Sequence, residues 1–281
     1  MENLRKILPA GISDKIVRLC GFEKITQIRM RINNPVIINL FDKEILFGDF
    51  IADDKMLTEV FNKITGYSAY AFEENIRCGY VTIKGGHRVG FGGEVVAEKG
   101  DVITVKNIKF LNIRVCHCIE GCSKIISEHL AEEGKVLNSL IISPPGLGKT
   151  TLLRDIIVYF SNKITGTSIS VIDERNEISG SYMGVPSIDM GPRTDVISGC
   201  SKEYGIRMAI RSMAPKIIAV DEIGGKNDLE ALQYAAVSGV KILATIHGKN
   251  LKDAEEKLGQ AFNEIFDKKI LITGKGKYEC F

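Results

Sequence analysis

One run of nine residues constrains this chain more than any other. Ser143-Pro144-Pro145-Gly146-Leu147-Gly148-Lys149-Thr150-Thr151 stands between an apolar run, Val136 to Ile142, and a helical segment from Lys149 to about Asn162. Binding a phosphate requires backbone N–H groups that converge on it, and therefore a tight loop with no side chains in the way. Gly146 and Gly148 permit that approach, and the helix opening at Lys149 adds its positive end. Lys149 then reaches the β/γ-phosphates, the Thr150 hydroxyl can ligate Mg²⁺, and Pro144-Pro145 stiffens the turn. The G-x-x-x-x-G-K-[ST] pattern is met except that Ser143 replaces its first glycine. A chance Gly-Lys-Thr on a surface loop is the bland alternative, and placement between strand and helix argues against it.

The segments after the loop extend the pattern. Ser168 to Ile172, Lys216 to Val220 and Lys241 to Ile246 read as apolar strands; Asp228 to Ser238 and Leu251 to Phe266 read as helices. Such alternation predicts a mainly parallel sheet covered by helices. In an open sheet of this kind ligands bind outside the carboxyl ends of the strands. Asp221 and Glu222 follow one strand, with Asp221 placed to hold Mg²⁺ and Glu222 to polarise an attacking water. Asp173-Glu174-Arg175-Asn176-Glu177 follows another, with Glu174 a second candidate for orienting water or metal and a solvated charge cluster the equal alternative. His247 closes a third and could sense a γ-phosphate, although a lone His is more often structural. Phosphoryl transfer gains from an Arg supplied in cis or by a neighbouring subunit. Arg193, in a glycine/proline loop, and Arg211, on a predicted helix, rank above Arg207, with Arg154 lower; each has a salt-bridging or surface alternative.

The first 118 residues differ. Ile25 to Ile32 alternates apolar and polar side chains, Asn33-Asn34-Pro35 breaks it, and Val36 to Leu40 is a second strand. Asp53 to Thr65 carries a helical stripe of Met56, Leu57, Val60, Phe61 and Ile64 behind an Asp cap. Gly79 to Lys84 and Val89 to Ala97 are strands around a glycine-rich turn. Its Gly-x-x-Gly spacing is also that of an RNA-clamping loop, but no basic and aromatic platform accompanies it. Residues 1–118 are thus read as a smaller α+β domain for oligomer or partner contacts and 119–281 as the nucleotide domain.

Composition narrows the partners. Lys and Arg number 37 against 35 Asp and Glu, too even for a nucleic-acid binder or a polybasic membrane anchor. No apolar run approaches the about 20 residues of a spanning helix, and the amino terminus has no apolar signal core. Seven cysteines without a signal peptide read as free thiols in a reducing cytosol. Cys116-His117-Cys118 with Cys122 lacks the second Cys pair of a structural zinc site.

The loop 143–151, the segment 171–177, Gly191-Pro192-Arg193-Thr194-Asp195-Val196 and the stretch 211–224 together resemble the stage III sporulation protein AA family of endospore-forming bacteria. Ile28-Arg29-Met30-Arg31 and the stretch 79–90 extend the resemblance to the amino-terminal half. That family is similar to the hexameric traffic ATPases of type II and type IV secretion and pilus systems. The resemblance implies a RecA-like P-loop domain that hydrolyses ATP with Mg²⁺. By analogy Glu174 falls in the acidic box, Glu222 in the Walker B region and His247 in the histidine box; Asp221 supplies a Walker B Asp that those relatives often lack. It further implies a homo-oligomer, a hexamer by analogy, on the mother-cell face of the septal membrane. There it would energise a secretion-like channel to the forespore through membrane proteins of the same operon. A nucleic-acid-binding RecA-like ATPase and a nucleotide-gated scaffold with little turnover are the rival readings.

Overall fold

Alternation in the first half becomes a six-stranded antiparallel sheet. The computed structural model describes residues 1–68 and 72–281, in two compact units, Met1–His117 and Cys118–Phe281. Unit one runs α1 (Glu2–Ile7), α2 (Ala10–Leu19), β1 (Ile25–Arg31), β2 (Pro35–Leu40), β3 (Glu44–Ile51), α3 (Asp54–Ile64), α4 (Glu73–Arg77), β4 (Tyr80–Ile83), β5 (His87–Glu98) and β6 (Asp101–Arg114), with strand order β3-β2-β1-β6-β5-β4. Ile25 and Ile28 both point inward, although they stand three positions apart. A bulge between Ile25 and Gln27 resets the alternation, after which Met30 follows Ile28 into the core. On α1, α2 and α3 the buried apolar residues are Leu4 and Ile7, Ile12 and Ile16, and Leu57, Val60 and Ile64. Asp53 caps α3 by accepting from Met56 N at 2.7 Å. The glycine-rich turn joins β4 to β5 as a hairpin, with φ of 101° at Gly85 and 75° at Gly86 that other residues adopt only with strain. His117 packs its ring against Phe41.

Unit two is an α/β fold. It runs α5 (Lys124–His129), β7 (Ala131–Glu132), β8 (Lys135–Val136), β9 (Ser139–Ser143), α6 (Lys149–Lys163), β10 (Ile169–Asp173), β11 (Thr194–Ser198), α7 (Lys202–Ser212), β12 (Ile217–Val220), α8 (Lys226–Val237), β13 (Lys241–His247), α9 (Leu251–Leu258), α10 (Ala261–Glu264), β14 (Lys268–Gly274) and β15 (Lys277–Cys280). Its seven-stranded sheet has the order β11-β10-β12-β13-β9-β14-β15. Neighbours from β11 to β14 pair in parallel, and β15 returns antiparallel. β9, β10 and β12 are buried along their length, which explains why they are mostly apolar and do not alternate. α7 approaches β10 so closely that a Cβ on Gly205 would fall 2.4 Å from Ile172 Cγ2.

Two elements differ from the periodicity. The apolar run 136–142 is two strands, because Asn138 turns out to bond Ile242 N and Asp267 instead of continuing one ladder. The single helix expected over 251–266 is α9 and α10, broken at Gly259, whose φ of 58° ends the first helix. No helix among the described residues is long and apolar enough to cross a membrane.

Candidate active site

Four parallel strands, β9, β13, β12 and β10, bring their carboxyl ends to one edge of unit two. β9 ends at Ser143 and the chain turns through Pro144 to Gly148 into α6. Gly146 and Gly148 have φ of 80° and 95°, the region open to glycine, whereas Ser143 has no positive φ. The serine is therefore accommodated as the last residue of a buried strand, its hydroxyl donating to the Pro144 carbonyl at 2.8 Å.

Lys149, in the first turn of α6, is buried, and its ammonium donates to Asp221 Oδ1 at 2.5 Å and to Thr245 Oγ1 at 2.8 Å. Thr150 Oγ1 donates to the other Asp221 oxygen, Oδ2, at 2.5 Å. The Thr245 hydroxyl donates to Asp221 Oδ1, and Glu222 N donates to both Asp221 Oδ1 and Thr245 Oγ1 at 3.0 Å. Burial alone would raise the Asp221 carboxyl. The Lys149 charge and the hydrogen bonds from Lys149, Thr150 and Thr245 outweigh it and hold the carboxyl below its ordinary value. Asp221 is thus an anion in a buried polar cluster, balanced by one ammonium.

Glu222 follows with φ of 53°, a sparsely populated conformation for a residue with a side chain. Its Oε1 lies 2.8 Å from His247 Nε2 and 3.7 Å from Lys149 Nζ, and its Oε2 accepts from Arg175 Nη1 at 2.9 Å. Glu174, Arg175, Asp173, Lys202, Asp221 and Glu222 line one cleft. Within it Lys202 donates to Glu174 Oε2 at 2.5 Å. Asp173 turns inward instead, accepting from Glu177 N, Ile178 N, Ser179 N and Ser179 Oγ at 2.7–3.1 Å, and so folds the 174–179 loop over itself.

Lys149, Thr150, Asp221, Glu222 and His247 therefore meet in one hydrogen-bonded cluster, with Glu174 in the adjoining cleft. Arg193 and Arg211 do not join it. Arg193 precedes β11, at the amino end of the sheet, and donates to the Ser161 carbonyl at 2.7 Å. Arg211 is exposed in the last turn of α7, which runs back from the site edge to the start of β12. Arg207 sits beside Glu203 and over the Tyr234 ring. Arg154 is buried and donates to the carbonyls of Ile178 at 2.6 Å and Glu177 at 2.9 Å. Three residues of the cluster and its adjoining cleft escaped the sequence reading: Thr245, Arg175 and Lys202. Thr245 had a signal, a hydroxyl amid the apolar strand Ile242-Leu243-Ala244-Thr245-Ile246.

The profile of the family described as "Sporulation stage III, protein AA" matches residues 1–279. This chain belongs to that family. Stage III sporulation protein AA of Bacillus subtilis (strain 168) is 36% identical over 259 residues, spanning 90% of this chain and 83% of the relative. Among solved structures, the Legionella pneumophila ATPase DotB superposes with a TM-score of 0.63 at 16% identity, covering 94% of this chain and 76% of DotB. The pilus retraction motor PilT, solved with bound ADP, gives 0.63 at 16% identity, covering 94% and 77%. At that identity the likeness is one of fold: this stage III AA family member has the fold of these ATPases.

Proposed function

We propose that this chain hydrolyses ATP in unit two, as the motor of a secretion-like channel complex between mother cell and forespore. The observation that carries the reading is the Lys149, Thr150 and Asp221 constellation at the mouth of a loop whose Gly146 and Gly148 both have positive φ. Beyond its own chain neighbours, no described residue comes within 4 Å of where a Cβ of either glycine would project, which leaves the cradle open to a phosphate. Thr150 and Asp221 present a hydroxyl and an anionic carboxylate, the hard oxygen donors that suit Mg²⁺. They are the residues that would hold it. The ion supplies charge neutralisation at the phosphates when bound.

The chain's own groups account for the rest. Loop N–H groups and Lys149 bind and orient the phosphates. Glu222, aimed into the cleft from a strained backbone, takes the proton of the attacking water, and His247 holds its Oε1. Glu174, committed to Lys202, lines the adjoining wall. Arg193 and Arg211 lie at the far end of their own sheet, so a part in turnover for either requires a neighbouring copy. In this reading the RecA-like unit works in a homo-oligomer, a ring of six by analogy, docked at the septal membrane through a partner protein. The wider role rests on family membership and on the shared fold of secretion and pilus ATPases.

Phosphate release by the purified full chain tests this. Release that needs Mg²⁺, stops with a chelator and is lost in Lys149→Ala together with ATP binding is the expected result. ATP binding and turnover unchanged in Lys149→Ala would overturn the assignment.

A further inference from the structure

Arg175 is bound to Glu222 by a contact that stability does not require. The ion pair is solvent-facing, with the Arg175 side chain 57% exposed, and pairs of that exposure contribute little to folding. Its backbone is nonetheless held from two directions. Asp173 gathers Glu177 N, Ile178 N, Ser179 N and the Ser179 hydroxyl onto one buried carboxylate. Arg154 fastens the Glu177 and Ile178 carbonyls to α6. Arg154 stands four residues after Thr150, so the helix that begins at the phosphate loop also anchors the loop that carries Arg175. Asn176, next in the chain, has φ of 56°, a further mark of a backbone bent to a set shape.

At the other end of the contact, Glu222 is a long, rotamer-rich side chain on a strained backbone. His247 Nε2 engages Oε1, and Arg175 Nη1 engages Oε2. With one donor on each oxygen the carboxylate plane is held at two points, which His247 on Oε1 alone does not achieve.

We infer that Arg175 is a positioning residue, which holds the Glu222 carboxylate in the orientation needed to take a proton from water. The inference rests on the ATPase reading of the same cluster and adds a residue to it. Removing Arg175 leaves the phosphate loop, Lys149, Thr150 and Asp221 untouched, so ATP binding is preserved while the chemical step slows.

The test compares wild type, Arg175→Ala, Arg175→Lys and the double variant Arg175→Ala/Glu222→Gln, all as full chain, in Mg·ATP turnover, ATP affinity and thermal unfolding. In Arg175→Ala, kcat is expected to fall between about tenfold and a hundredfold, the range that a misplaced catalytic group costs. KM, ATP affinity and melting temperature stay at wild-type values, and Arg175→Lys recovers part of kcat. In the Glu222→Gln background, Arg175→Ala changes nothing further, because its effect runs through that carboxylate. An active wild type matched or exceeded by Arg175→Ala overturns the inference and leaves the ATPase reading standing. So does a loss in Arg175→Ala that persists in full in the Glu222→Gln background. A wild type without turnover overturns the ATPase reading itself, and this inference falls with it.

Discussion

The Thr245 hydroxyl donates to Asp221 Oδ1 while it accepts from Lys149 Nζ at 2.8 Å and from Glu222 N at 3.0 Å. One buried oxygen on β13 thus joins Lys149, in the first turn of α6, to both acids after β12. Thr245→Val keeps the shape and deletes the donor and acceptor, leaving buried polar groups short of a partner. A loss of about 1–3 kcal/mol is expected in urea unfolding without nucleotide, with Thr245→Ser closer to wild type. Equal stability of Thr245→Val and wild type would show that the hydroxyl does not organise the cluster.

Asp221 is the nearer counter-charge of a buried ammonium, so Asp221→Asn leaves Lys149 only the more distant Glu222 carboxylate at 3.7 Å. The expected cost is about 3 kcal/mol, typical of breaking one partner of a buried pair. The sign with pH follows from a folded-state carboxyl below its ordinary 3.8. The stabilisation is complete above that value and is lost as pH falls through the lower, folded one. Denaturant titrations of the two proteins should differ at neutral pH and converge in strong acid. A gap that stays constant into acid would contradict the assignment of Asp221 as the anion.

Unit one has its own pH response, through His87. Burial, with smaller contributions from the amino terminus and His117, pushes the imidazole down to about 4 from 6.5. Its Nδ1 accepts from Cys116 N at 3.1 Å, and its Nε2 is buried with no hydrogen-bond partner among the described residues. Between pH 6.5 and 4 the unfolded chain takes up a proton that the folded one refuses, so stability falls as pH drops through that window. The full loss is about 3 kcal/mol, from the size of the shift. His87→Asn, whose amide oxygen replaces Nδ1 as acceptor, should flatten the profile between those values. An unchanged slope in His87→Asn would assign the response to another group.

Much of the fold was legible because its signals are local. Ile25 to Arg31 and Pro35 to Leu40 alternate; Asp53 caps a striped helix; Gly146 and Gly148 mark the turn between β9 and α6. What stayed hidden lacks a local signal. β3 buries Phe47 alone, and β6 buries only Leu111 and Ile113, so neither shows clean alternation along its length. β11 is an edge strand with no fully buried residue. The site divides in the same way. Motif spacing marks Lys149, Asp221 and Glu222, whereas Thr245 meets Lys149 across 96 positions and Arg175 meets Glu222 across 47. Sequence also could not tell which end of the sheet Arg193 and Arg211 occupy. That depends on α7 running back across the sheet and on β11 lying parallel to β10.

The most direct measurement of the central claim is steady-state phosphate release by purified wild type and Glu222→Gln, read beside ATP affinity. Wild type should turn over Mg·ATP. Glu222→Gln should bind ATP with wild-type affinity and release phosphate at least about a hundredfold more slowly, the lower range for loss of a general base. Equal release by the two proteins, or none from wild type, would contradict it.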